Sequence, residues 1–321
     1  MKKLARLLCL ALAVVMVLGL VACGNSGKKD SYTVGVCQLA PHPALDAATK
    51  GFEDTLKAEF GDKVTVDVQN ASGDSANCGT IVNSFVSNKV DLIMANATAA
   101  LQAAASGTDT IPVLGTSITE YGVALSIADF TGTVGKNISG TSDLAPLDQQ
   151  AAMIKEWCPD AKTVGLIYCS SEANSQYQVD NVQAALEGMG VSCTQYPFAD
   201  TNDMTAVVQK AADECDVLYV PTDNTVADNT GIVDNICRGK VPVFAGEEAI
   251  CKSCGVATLS IDYYDLGVAT GKMAAKILKG EAKVGEMPIE YAANFTKKYN
   301  PVICDALGLT PPTNDYVAVE G

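Results

Sequence analysis

One histidine, one tryptophan, and 22 basic residues against 37 acidic ones are the scarcities of this 321-residue chain. A lone histidine leaves little room for a Ser/His triad. No Gly-x-Ser-x-Gly elbow, His-Glu-x-x-His helix or phosphate loop is present to carry another catalytic chemistry. The shortage of positive charge argues against nucleic acid as a partner and against electrostatic docking on anionic lipid. Aromatic residues make up 6% of the chain, few for a pocket that sandwiches a sugar or nucleoside ring. Cys251-Lys-Ser-Cys254 has no second CxxC, and His42 lies far from it in sequence, so zinc is not expected. No metal and no cofactor follow from this composition.

What is present begins at the N-terminus. Lys2, Lys3 and Arg6 precede an apolar run over residues 7–21, the pattern of a secretory signal. Cys23 directly after Leu20-Val21-Ala22 resembles a bacterial lipobox, in which the thiol is lipidated and cleavage makes Cys23 the new N-terminus. The run holds roughly 15 apolar residues, short of the ~20 that span a bilayer. The expectation is a signal peptide over 1–22 and a linker over 23–31. The mature, monomeric domain would then be exported and held by acyl chains on the outer face of the cytoplasmic membrane. It keeps 19 basic and 37 acidic residues, a formal charge of −18. Ten further cysteines are scattered through it. Their even number leaves disulfides open in an exported chain. Cys37 and Cys169, however, sit inside apolar strand patterns, where a thiol behaves as a small hydrophobe.

The chain repeats itself. Thr33-Val34-Gly35-Val36 returns as Thr163-Val164-Gly165-Leu166 and Ile111-Pro112-Val113 as Val241-Pro242-Val243, both offset by 130 residues. Asp91-Leu92-Ile93-Met94 returns as Asp216-Val217-Leu218-Tyr219 at an offset of 125. In each copy, short Val/Ile/Leu runs alternate with segments of helical period. Strands are expected at 32–39, 64–69, 90–95 and 111–115, then at 163–168, 192–197, 217–221, 241–245 and 256–261. Helices are expected at 44–60, 76–88 and 98–106, then at 174–188, 203–214 and 225–238. Such alternation predicts an α/β fold of two doubly wound lobes, each around a buried parallel sheet.

Ligands of such sheets bind beyond the carboxyl ends of the strands, near helix N-termini. The sequence places small polar loops there: Gln38 to Asp46, Asn96-Ala97-Thr98, Thr116-Ser117, Cys169 to Glu172, Pro221 to Thr225, and Gly246 to Glu248. Capping explains any one of them. Six on two matched lobes point to one cleft.

Several of these segments resemble the substrate-binding lipoproteins of ABC transporters, specifically the tryptophan-binding (TrpX-like) group. They are Val36-Cys-Gln-Leu-Ala-Pro-His-Pro-Ala-Leu-Asp46, Gly140-Thr-Ser-Asp143, Ser170-Ser-Glu172 with Asn174-Ser175, Val220-Pro-Thr-Asp-Asn-Thr225, and Ile261-Asp-Tyr-Tyr-Asp-Leu-Gly-Val-Ala-Thr-Gly-Lys-Met273. The resemblance covers nearly the whole mature chain. It implies a periplasmic-binding-protein type I fold with three hinge crossings, near 142–146, 261–263 and 283–287. One lobe would comprise 32–142 plus 263–283, the other 143–262 plus 284–321. It also implies hinge closure on a small ligand and delivery to the transmembrane subunits of an ABC permease. Ala97, where relatives often carry proline, and Glu120-Tyr121, where Asp-Pro is usual, depart from the pattern and leave the ligand's identity open.

An α-amino acid, aromatic by this resemblance, needs donors for its carboxylate, an anion for its ammonium and apolar walls. Thr98 with the Ala97 N–H, Ser170 and Ser171 are the candidate carboxylate donors, at helix starts where the dipole helps. Asp223 is the favoured ammonium partner, with Glu247 and Asp143 as rivals. Gln38, Leu39, His42 and Pro43 would border the side-chain pocket beside Thr116 and Ser117, with Tyr121 as lid or wall. Asn224 and Thr225 are either site residues or caps. Trp157 and Tyr263-Tyr264 are expected to pack. The acid pairs Glu247-Glu248 and Asp262/Asp265 read as solvated helix starts. A sugar or nucleoside on the same fold, or an exported enzyme, are the competing readings.

Overall fold

Strands buried on both faces need helices above and below, and residues 29–292 and 294–320, which this computed structural model describes, are arranged that way. The expected signal segment and Cys23 lie outside the described residues. In the first half the chain runs β1 (Tyr32–Gln38), α1 (Pro43–Phe60), β2 (Val64–Asn70), α2 (Ser75–Ser87), β3 (Leu92–Asn96), α3 (Thr98–Gly107), β4 (Val113–Ile118), α4 (Tyr121–Ala124) and β5 (Ile138–Ser142). The second half runs α5 (Leu147–Trp157), β6 (Thr163–Cys169), α6 (Ala173–Gly188), β7 (Ser192–Phe198), α7 (Thr201–Glu214), β8 (Val217–Val220), α8 (Asn224–Asp228), α9 (Thr230–Cys237), β9 (Val243–Ala245), α10 (Glu248–Cys254) and β10 (Ala257–Ser260). It closes with α11 (Tyr263–Leu278), β11 (Glu290–Tyr291), β12 (Thr296–Tyr299), α12 (Pro301–Leu307) and β13 (Val317–Ala318).

Two sheets result, ordered β11-β5-β4-β3-β1-β2 and β13-β12-β10-β9-β8-β6-β7. Every pairing is parallel except β10 with β12. Both sheets therefore carry the doubly wound order 2-1-3-4-5 in their first five strands. The duplication extends to single bonds. Asp91 accepts the Thr33 N–H at 2.8 Å, and Asp216 accepts the Thr163 N–H at 3.0 Å. The carbonyls of Pro112 and Pro242 accept from Ile93 and Leu218, each at 2.9 Å.

Three differences from expectation have local causes. The helix expected at 225–238 is broken at Asn229, whose side-chain amide donates to the Thr225 carbonyl at 2.8 Å and competes with helical bonding. The strand expected from residue 241 starts at Val243, after Pro242, which has no N–H to give. The third crossing falls later than 283–287. Val284, Met287 and Ile289 are buried in the first lobe, and Ser139 Oγ donates to the Met287 carbonyl at 2.9 Å. β11 then pairs with β5, so the chain changes sheets between Tyr291 and Thr296.

Helices α1 and α11 lie against each other with almost no side chain between them. A Cβ on Gly267 would overlap the Ala48 carbonyl, and one on Gly51 the Tyr264 carbonyl. Glycine makes this approach possible. All ten cysteines from Cys37 to Cys304 are free thiols. Among the described residues no helix is long and apolar enough to cross a membrane.

Candidate functional site

The carboxyl ends of the two sheets' central strands face one another, and a chamber of about 10 Å³ lies between them. His42, Leu45, Ser117, Thr119 and Tyr263 line it from the first lobe; Asp143, Asn174, Thr222, Asn224 and Glu247 line it from the first crossing and the second lobe. That volume suits about one water, so a larger ligand enters only if the lobes part.

The chamber's character is set by atoms left without partners. His42 Nδ1, Ser117 Oγ, Asp143 Oδ1 and both Glu247 carboxylate oxygens are buried and unbonded. Among the described residues no lysine or arginine lines it. Asp143 accepts one bond, from the Tyr263 hydroxyl at 2.9 Å, and burial raises its pKa. Glu247 is 1% exposed; burial, and then Asp143, push its carboxyl up to about 8. An unpaired buried charge costs several kcal/mol, and burial accordingly pushes both carboxyls toward their protonated forms. Ser117, at φ +55° in the irregular end of β4, and Ala97, at φ +87° just after β3, sit in strained backbone, which tends to gather where ligands are gripped.

Behind the chamber, a tighter set of bonds organises the start of α8. Asp223 caps it, accepting from Val226 N at 2.9 Å and from Cys169 N at 2.7 Å. Burial and the neighbouring Glu172 lift Asp223 to about 7, against the pull of those two N–H groups. Glu172 reaches across from the loop after β6 and accepts from Asn224 N, Asn224 Nδ2, Thr225 N and Thr225 Oγ1 at 2.7–3.0 Å. Asn224 Oδ1 in turn meets His42 Nε2 at 3.2 Å, joining the lobes.

A second, wider hollow of about 230 Å³ lies at the cleft mouth. Ser72, Gly73 and Ser75 before and at α2, Ala99 in α3, Thr201 in α7, and Asn224, Thr225, Asp228 and Asn229 in and after α8 line it, with Leu39, Ala40, Ser171 and Glu172. Several helix starts converge on this space, but Glu172 takes the Asn224 and Thr225 N–H groups, and Glu172 and Asp228 put carboxylates on its wall.

Residues 33–320 match the family described as ABC transporter substrate binding protein. The chain belongs to this family. It is similar to the tyrosine-binding protein of Clostridioides difficile, with 34% identity over 269 residues, 83% of this chain and 77% of that protein. A Streptococcus pneumonia ABC domain solved in complex with L-Trp matches at TM-score 0.83 and 35% identity, covering 88% of this chain and 96% of that one. A ligand-free, open substrate-binding protein with adhesive properties from Clostridium difficile matches at TM-score 0.68 and 36% identity, over 90% and 100%. The fold is of the periplasmic-binding-protein type I kind.

In this substrate-binding protein the candidates separate by where their bonds go. His42, Ser117, Asp143, Asn224 and Glu247 line the chamber, and Leu39, Ser171, Asn224 and Thr225 line the mouth. Asp223, favoured for an ammonium, has both oxygens engaged as a cap, which leaves its rivals Glu247 and Asp143 with the free acceptors. The Ala97 N–H is bonded to the Thr116 carbonyl at 3.1 Å and is not free for a ligand. Thr98 lines neither hollow, and Ser170 Oγ turns back to the Phe198 carbonyl at 3.1 Å. Gln38 binds Ala40, Asp46 and Thr49, fixing the first loop on α1. Thr116 belongs to a buried hydroxyl triad with Thr141 and Thr270. Pro43 opens α1 from an exposed position. Tyr121 is no lid: it is 1% exposed, and its hydroxyl donates to the Thr141 carbonyl at 3.0 Å.

Glu247 is buried rather than a solvated helix start, whereas Glu248 pairs with Lys298 and Asp262 caps α11. Leu45, Thr119, Asn174, Thr222 and Tyr263 line the chamber without having been singled out for it. The Thr-Asp-Asn-Thr run was visible, but Glu172 becomes legible only once β6 and β8 are seen side by side.

Proposed function

We propose that the protein captures an aromatic α-amino acid between its lobes and passes it, unchanged, to an ABC permease. The observation that carries this is the chamber's surplus of buried acceptors with no lysine or arginine among its lining residues. An ammonium supplies the positive charge and the donors that Asp143 and Glu247 lack. The amino acid's carboxylate then turns to the hydroxyls of Ser72, Ser75 and Ser171 at the mouth, away from Glu172 and Asp228, and its side chain rests on Leu39, Ala40 and Ala99. The relatives named for tyrosine and solved with L-Trp support an aromatic cargo. The chain's higher TM-score to the L-Trp complex than to the open, ligand-free protein, at like identity, supports reading the lobes as drawn together. The lobes are taken to pivot on the three crossings, with a lipidated Cys23 tethering them outside the membrane.

Thermal unfolding of residues 24–321, refolded to strip carried-over ligand, tests the reading against L-tyrosine, L-tryptophan, L-phenylalanine, sugars and nucleosides. Ligand at ~1,000 times its Kd adds ~4 kcal/mol, a shift of several degrees. A shift confined to aromatic amino acids is expected. A shift with sugars or nucleosides alone overturns the cargo and the ammonium site together.

A further inference from the structure

The bonds around Asn224 determine the state of the protein's one histidine. Glu172 is a pure acceptor: its Oε2 takes the Asn224 Nδ2 hydrogen at 2.7 Å while both its oxygens are tied to the first turn of α8. The Asn224 amide can therefore face only one way, with Oδ1 turned to His42 Nε2 at 3.2 Å. An amide oxygen cannot donate, so Nε2 carries the hydrogen. Nδ1 is left buried on the chamber wall with no partner, in a residue 4% exposed.

We propose that Glu172 and Asn224 act across the cleft as positioning residues that lock His42 as its neutral Nε2–H tautomer, so that Nδ1 accepts an N–H from the ligand's ammonium. This rests on the amino-acid reading above. The rival state is an imidazolium that would neutralise the chamber's acids itself. Against it, the oxygens of Asp143 and Glu247 that line the chamber are not bonded to Nδ1. The charged groups that do act on His42 are Glu172, Asp46 and Asp228; burial outweighs their pull and that of the Asn224 bond, and keeps the ring's pKa low. Tyr263, Asp143 and Glu247 complete the titratable lining around it.

Because the lock spans both lobes, an open cleft leaves the ring free to exchange tautomers, and closure prepares the acceptor. The arrangement selects a ligand with an ammonium over its α-keto counterpart, which has no hydrogen to offer Nδ1, and over its α-hydroxy counterpart, whose O–H can reach Nδ1 but brings no charge to Asp143 and Glu247.

A single histidine makes the test direct, since ring-¹⁵N labelling gives one pair of nitrogen signals. With L-tyrosine or L-tryptophan bound, Nε2 should appear protonated and Nδ1 as a lone-pair nitrogen whose shift moves on binding. Glu172→Gln should restore a mixture of tautomers and weaken L-tyrosine about tenfold. Asn224→Ala, which removes the acceptor for Nε2, should release the tautomer in the same way. 4-Hydroxyphenyllactate should bind at least about tenfold more weakly than L-tyrosine to the unaltered protein. An Nδ1–H tautomer, an imidazolium in the complex, or an Nδ1 signal indifferent to bound amino acid overturns the proposal and leaves the amino-acid reading standing. Failure of every amino acid to bind overturns both.

Discussion

Glu247 shows how one side chain couples ligand and pH. Its folded pKa of about 8 lies above the ordinary value near 4.3, so the folded, ligand-free protein keeps a proton that the unfolded chain has released. Its contribution favours folding fully below about pH 4 and is lost as pH rises towards 8. Melting temperatures from pH 5 to 8 should therefore fall more steeply for the parent than for Glu247→Gln. An ammonium requires the ionised acid, which reverses the sign for binding: L-tyrosine affinity should rise from pH 6 to pH 8 by isothermal titration. Removing the charge with Glu247→Gln should cost about 2 kcal/mol or more of affinity, ~30-fold. Asp223→Ala is the contrast. It deletes a cap with two backbone partners, so about 1–2 kcal/mol should disappear from stability in denaturant melts, with a smaller loss of affinity than at Glu247. The sequence exposed all three acids as strand-end residues. Which of them already had partners depended on the Val226 N–H, which a local cap supplies, and on the Cys169 N–H, which meets Asp223 only when β6 lies beside β8. Gln38, Thr116 and Ser170 were visible for the same reason, and they too spend their bonds inward.

At the scale of elements, the duplicated Thr/Asp and Pro pairs were legible because they serve the same strand ladder in both lobes. A helix-helix contact leaves a fainter trace. Gly267 and Gly51 give no hint of their partners in sequence, yet they set how close α1 and α11 lie. Gly267→Ala should cost about 1–3 kcal/mol by chemical denaturation, since the Ala48 carbonyl has to move. Gly79→Ala in α2, where a Cβ meets nothing, should instead stabilise by about 0.5–1 kcal/mol in the same assay. The break at Asn229 and the late third crossing escaped the sequence because both turn on individual contacts. One is an amide folded back on Thr225; the other is Val284 and Met287 finding the first lobe's core.

For the molecule as a whole, the two matched sheets and their facing carboxyl ends followed from the repeat, while the size and charge of the space between them did not. A chamber of about 10 Å³ requires the lobes to separate for loading, so small-angle scattering should show a smaller radius of gyration with saturating L-tyrosine than without. An unchanged radius would count against hinge closure. The acid-lined chamber also bears on energy coupling. Bringing the lobes together around Asp143 and Glu247 without a counter-cation means either desolvating charge or taking up protons, each a penalty on the empty closed form. On the proposed reading the ligand's ammonium removes that penalty, and closure then reports occupancy. A transporter that recognises only the closed shape would then seldom hydrolyse ATP for a receptor with nothing to deliver.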